Sequence, residues 1–80
     1  MIQNICVVGL GYVGLPLAAL CSIKNYDVVG LETKQDVVDK VNQGLSHIKD
    51  IEVERLVKLA HKTGRLKATT NIDKISRSTI

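Results

Sequence analysis

An α/β fold with a parallel sheet is predicted by three observations. Two short apolar runs, Ile5–Val8 and Asp27–Leu31, have the length and the Val/Ile content of strands buried on both faces, as strands of parallel sheets are. Segments with helical apolar spacing alternate with such runs along the chain, the order that produces helices packed on a parallel sheet. A glycine-rich turn, Gly9 to Gly14, leads straight from the first run into the first helical segment. With 80 residues there is room for one small domain and no more.

The elements follow in order. After strand one and its glycines, Val13, Leu17, Leu20 and Cys21 recur at helical spacing, and Pro16 falls in the first turn, where a missing N–H costs least. A turn around Lys24-Asn25-Tyr26 leads to strand two, Val28-Val29-Gly30-Leu31, which stops at the charged Glu32. Thr33 is the expected N-cap of a second helix with Val37, Val38, Val41 and Leu45 on its apolar face and Gly44 as its stop. Ser46 to Asp50 connects to a third helix, whose apolar residues Val53, Leu56, Val57 and Ala60 lie on one face and which Gly64 ends. Leu66, Ala68 and Thr70 then alternate with Arg65, Lys67 and Thr69, the pattern of a strand with one wet face near a sheet edge. From Asn71 to Ser78, the caps Asn71 and Asp73 with Ile72 and Ile75 allow one or two helical turns.

Composition removes several function classes. The apolar fraction, 45%, is that of a globular domain and not of a disordered chain, and 6 Gly and 2 Cys suit neither collagen nor a disulfide scaffold. The net charge is +3, but the basic residues are dispersed and there are only 2 Tyr and no Phe or Trp, so neither a phosphate-tracking patch nor a stacking platform for nucleic acid is present. Cys6, Cys21, His47 and His61 show no metal-ligand spacing, and no metal is expected. The two thiols read as unbridged cysteines of a reducing cytoplasm, and the histidines as surface or loop residues. Met1 to Ile23 lacks charge and so imitates a membrane span, yet Gly9, Gly11, Gly14 and Pro16 would break such a helix, and a signal sequence would carry positive charge at its start. No membrane partner is expected.

Gly9-Leu10-Gly11-Tyr12-Val13-Gly14 is a GxGxxG turn between a strand and a helix, and a second apolar strand ends in Glu32, 18 residues beyond Gly14. That combination is the dinucleotide fingerprint of the Rossmann fold. Gly9 allows the tight exit from the strand, Gly11 lets backbone approach a pyrophosphate, and Gly14 lets the helix pack close to the sheet. The amides around Tyr12 and Val13, at the positive end of the helix, receive phosphate oxygens without any Lys or Arg. The carboxylate of Glu32 accepts hydrogen bonds from the two ribose hydroxyls, where a 2′-phosphate would meet like charge, so the cofactor is read as NAD in preference to NADP. The expected site is therefore Gly9, Gly11, Tyr12, Val13, Gly14 and Glu32, in a partial Rossmann fold with strand order 3-2-1. A P-loop is excluded because no GK[ST] follows the glycines, whereas a methyltransferase glycine loop, which also pairs with an acid ending strand two, stays open at this point.

The run Ile5-Cys6-Val7-Val8-Gly9-Leu10-Gly11-Tyr12-Val13-Gly14-Leu15-Pro16-Leu17-Ala18 closely resembles the opening of the UDP-glucose/GDP-mannose dehydrogenase family. Val38 to Gly44 looks like that family's second helix and closing glycine, and Gly64 to Thr70 like its third strand, so the resemblance covers the whole chain. The GLGYVGLPLA wording is most similar to the family's enzymes acting on UDP-N-acetylhexosamines, and His47-Ile48 after Gly44 resembles the branch acting on UDP-N-acetylmannosamine. Two departures are Glu32, where Asp is usual, and Lys49-Asp50, where Glu-Pro is usual. The resemblance implies an NAD-dependent enzyme that oxidises the C6 alcohol of a UDP-sugar to a carboxylate through a cysteine-bound intermediate. The family's catalytic Cys and Lys belong to later segments; Cys6 and Cys21 match neither, so no catalytic residue is expected in residues 1–80, the portion before strand four. The competing expectation is a non-catalytic nucleotide-binding or interaction module with the same half-fold. Without a fourth strand, strand one keeps an open apolar edge, and a homo-oligomer is expected.

Overall fold

The computed structural model describes residues 3–74. The chain runs β1 (Asn4–Val8), α1 (Gly14–Ile23), β2 (Asp27–Leu31), α2 (Gln35–Asn42), α3 (Ile51–Thr63), β3 (Leu66–Thr69) and a 3₁₀ turn at Ile72–Lys74. The strands are parallel and lie in the order β1-β2-β3, which is the expected 3-2-1 seen from the other side. Ile5, Val28 and Leu66 stand in one row across the sheet, and Val7, Gly30 and Ala68 in another. Apart from Gly30, these residues form a single core with Leu15, Ala18 and Ala19 of α1, Val37, Val38 and Val41 of α2, Ile48, and Val57 and Ala60 of α3.

Successive side chains of a strand point to opposite faces, and the second face is wetter than the sequence predicts. Lys67 is exposed, Val29 and Leu31 are half-buried, and Val8, expected inside, is 78% exposed. Of the residues pointing away from the helical core, Cys6 is the one that is buried.

A second correction concerns α1. The large side chains at helical spacing are not its inner face: Leu17 and Leu20 are exposed, Val13 precedes the helix, and the buried set is Leu15, Ala18, Ala19 and Ser22. The face that α1 turns into the core, against the sheet and α3, thus carries one large side chain, Leu15, beside the small Ala18, Ala19 and Ser22. Ser22, fully buried, returns its hydroxyl to the Ala18 carbonyl at 3.0 Å.

The helix ends are set by local chemistry. Thr33, the expected cap of α2, lies one residue too early: Lys34 is at the N-cap without a side-chain cap of its own, and the Lys34 N–H donates instead to Glu32 Oε2 at 3.0 Å. The helix ends at Asn42, so Leu45 leaves the apolar face and is 53% exposed. Asp50 Oδ1 accepts from the N–H groups of Glu52 (2.9 Å) and Val53 (3.3 Å) and starts α3, which Gly64 ends at φ +72°. Asn71 Oδ1 accepts from Asp73 N–H at 2.9 Å and starts the 3₁₀ turn; the remainder of the helix expected there, from residue 75 on, lies outside the described residues. Among the described residues no helix is long and apolar enough to cross a membrane.

Candidate functional site

The glycine turn sits at the carboxyl end of β1, beside the end of β2. Gly9 donates its N–H to the Leu31 carbonyl at 2.8 Å, extending the ladder by one residue before the chain departs at φ +87°, a region that side chains rarely tolerate. Leu10 then turns inward and is fully buried against Gly30, where an added Cβ would lie 2.7 Å from both Leu10 methyls. A Cβ at Gly14 would overlap the Gly9 carbonyl oxygen, so the first residue of α1 rests directly on the first residue of the turn. A Cβ at Gly11 would meet nothing within 4 Å. The turn is thus closed at Gly14, filled at Gly30 by Leu10, and open at Gly11.

Around that open position the backbone presents donors. Among the described residues, the N–H groups of Gly11, Tyr12, Val13 and Gly14 have no acceptor; the first N–H of α1 to be paired is that of Leu15, which donates to the Gly11 carbonyl at 3.0 Å. Unpaired amides at a helix start carry the positive end of the helix dipole and receive anions. The side chains of Tyr12 and Val13 are 82% and 80% exposed and stand away from the core, leaving their backbone as their contribution to the turn.

Glu32 lies against this turn. Its Oε1 accepts the Leu10 N–H at 3.0 Å, and its Oε2 accepts the Lys34 N–H at 3.0 Å and the Thr33 hydroxyl at 3.3 Å. The Leu10 amide, then the Lys34 amide, hold its carboxyl below the usual glutamate range against a smaller opposing effect of burial. An ionised carboxylate is therefore fixed at the end of β2, with oxygen lone pairs to spare for further donors.

The structure brings together all six residues that the sequence singled out: Gly9, Gly11, Tyr12, Val13 and Gly14 form the turn, and Glu32 grips it through Leu10. Sequence reasoning missed two participants. Leu10, an unspecified position of the motif, is the plug between turn and sheet. His47, read as an isolated loop histidine, is hydrogen-bonded through Nε2 to the Leu10 carbonyl across 37 residues of sequence. The periodic signal that finds core positions applies to neither, since both lie outside helices and strands. Cys6 and Cys21 are unbridged, and among the described residues no three His, Cys, Asp or Glu side chains are grouped to hold a metal ion.

Comparison with known proteins gives a consistent result. The family model described as "UDP-glucose/GDP-mannose dehydrogenase family, NAD binding domain" matches residues 3–80. The UDP-N-acetyl-D-mannosamine dehydrogenase of Pyrococcus horikoshii is 38% identical over 78 residues, 98% of this chain and 19% of that protein. The NDP-N-acetyl-D-galactosaminuronic acid dehydrogenase of Ralstonia nicotianae is 43% identical over 68 residues, 85% of this chain and 16% of that protein. The solved structure of UDP-D-ManNAc dehydrogenase from Pyrococcus horikoshii superposes with a TM-score of 0.86 at 38% identity, covering 95% of this chain and 18% of that one. The chain thus spans less than a fifth of the length of these relatives. It belongs to the UDP-glucose/GDP-mannose dehydrogenase family and corresponds to its NAD-binding domain.

Proposed function

From that membership we propose that residues 3–74 seat the adenosine-diphosphate half of NAD for a nucleotide-sugar 6-dehydrogenase. The observation that carries the reading is the run of four unpaired amides, Gly11 to Gly14, at a turn that is open at Gly11 and is held by an ionised Glu32. Gly9, Gly11, Tyr12, Val13 and Gly14 would receive the diphosphate, and Glu32 the ribose hydroxyls. Both Glu32 oxygens already accept from backbone, which fixes the carboxylate in place before the cofactor arrives and disfavours a 2′-phosphate by like charge. NAD, when bound, supplies the hydride acceptor.

The substrate is a UDP-sugar whose C6 alcohol is oxidised to a carboxylate. UDP-N-acetylmannosamine is the sugar best supported, because the Pyrococcus relative bears that activity in its name and this chain carries GLGYVGLPLA and His47-Ile48. The reacting groups, a cysteine among them, belong to segments other than these residues. The whole protein works in the cytoplasm, a compartment in which Cys6 and Cys21 stay unbridged. Self-association of residues 1–80 by themselves into a homo-oligomer is supported by the bare apolar edge of β1.

Calorimetric titration with NAD, NADP and ADP-ribose tests the cofactor site. NAD and ADP-ribose should bind alike, NADP about tenfold or more weaker, and Glu32→Ala should lose NAD affinity by a similar factor. Equal binding of NAD and NADP, or full NAD affinity in Glu32→Ala, would overturn the role given to Glu32.

A further inference from the structure

We propose that His47 is a positioning residue that aims the Gly11 N–H at the diphosphate, a reading that rests on the cofactor site above. Leu10 is fully buried, and among the described residues its carbonyl accepts from no backbone N–H; its partner is His47 Nε2. A carbonyl accepts, so the ring carries its proton on Nε2. The Leu10 carbonyl and the Gly11 N–H belong to one peptide group, which is planar and trans, so the two point in opposite directions. Tying the carbonyl to His47 therefore turns the Gly11 N–H away from the ring, and among the described residues that N–H meets no acceptor, while a Cβ at Gly11 would meet nothing within 4 Å. Glu32 Oε1 holds the preceding peptide through the Leu10 N–H. Both peptides of Leu10 are thus fixed, one from the end of β2 and one from the connector between α2 and α3.

The connector is built to hold the ring there. Ser46 Oγ donates to the Ile48 carbonyl and accepts the Ile48 N–H, both at 2.9 Å, bracketing His47, and Ile48 is 4% exposed in the core. Two residues on, Asp50 caps α3. His47 is therefore placed by neighbours anchored on either side, and its own contribution is the one hydrogen bond.

Nitrogen-correlated NMR of the ring and the amides, with ADP-ribose and adenosine as ligands, provides the test. In the unsubstituted protein the His47 ring should be the Nε2–H tautomer, and the Gly11 amide should shift strongly with ADP-ribose. His47→Leu should weaken ADP-ribose binding about tenfold, the equivalent of one lost hydrogen bond, and leave adenosine unchanged; His47→Gln, which keeps an N–H donor, should recover most of the loss. An Nδ1–H tautomer overturns the proposal with no substitution needed. So does unchanged ADP-ribose affinity in a folded His47→Leu, or an equal loss of adenosine, which would mark a merely structural role. If the unsubstituted protein binds adenosine but not ADP-ribose, the diphosphate reading falls and this one with it, whereas normal binding of both with an indifferent His47 removes this one alone.

Discussion

At the β3 edge of the sheet the carboxamide of Asn42 acts in place of a fourth strand: its Nδ2 donates to the Ala68 carbonyl at 3.0 Å and its Oδ1 accepts the Ala68 N–H at 2.8 Å. The strand beside it carries the exposed Lys67, and charge on an edge discourages further pairing. At the β1 edge nothing comparable is present among the described residues. Val8 and Val13 are about four-fifths exposed, and with Leu17, Gly9 and Gly14 they line an apolar groove along the strand. One edge is finished by a polar side chain and the other leaves apolar side chains exposed. The glycine turn lies beside this bare edge, so the proposed cofactor site and the proposed association surface are neighbours, while the edge held by Asn42 lies two strands away.

The comparison breaks most severely at Gly14. Alanine there places a methyl on the Gly9 carbonyl oxygen, a backbone atom that cannot move without disturbing the turn. Urea denaturation should show a loss of about 3 kcal/mol, the upper range for overpacking; a loss under about 1 kcal/mol would mean that helix and turn are not locked together. On the other edge, Asn42→Leu removes both contacts with Ala68 and should cost about 1–2 kcal/mol. Hydrogen exchange sharpens that result, because the Ala68 amide should lose its protection while the amides of β1 keep theirs.

A smaller effect concerns pH. Glu32 has a lowered folded-state pKa, caused first by the Leu10 amide. Its contribution to stability is accordingly full above the unfolded value of about 4.3 and is lost as pH falls through the lower folded value. The stability difference between the unsubstituted protein and Glu32→Gln should be constant near neutrality and shrink below about pH 4; a difference that grows on acidification would contradict the depressed pKa. Least costly to the fold is the pair Val8→Lys and Val13→Lys, both at exposed positions, with stability unchanged within about 0.5 kcal/mol. Sedimentation should nevertheless show that the double variant no longer self-associates. Persistent association would move the interface away from the β1 edge.

Much of the fold was legible because its signals are local. Gly9 and Gly64 adopt the left-handed conformations that their places in the sequence call for, and Glu32 ends β2 where the apolar run stops. The inner face of α1 was not legible, since periodicity favours the large side chains Leu17 and Leu20. The face that packs inward is the one continuing from Gly14, which rests on the turn, through Leu15, Ala18, Ala19 and Ser22. Thr33 is not the cap because the helix starts one residue later than its sequence suggests, with Lys34 at the N-cap, and the Thr33 hydroxyl donates to Glu32 Oε2 instead.

By itself the sequence determined the order of elements, the glycine turn and the acid at the end of β2, because these follow from backbone conformation, side-chain volume and apolar spacing within a few residues. Only the tertiary structure decided that Glu32 and His47 hold the two sides of Leu10, across 22 and 37 residues, and that Asn42 completes β3 across 26. Each of these is a polar group meeting a buried or edge backbone group left without a partner. Which groups lack partners is fixed by the packing of the strands and helices, and no spacing along the chain records it.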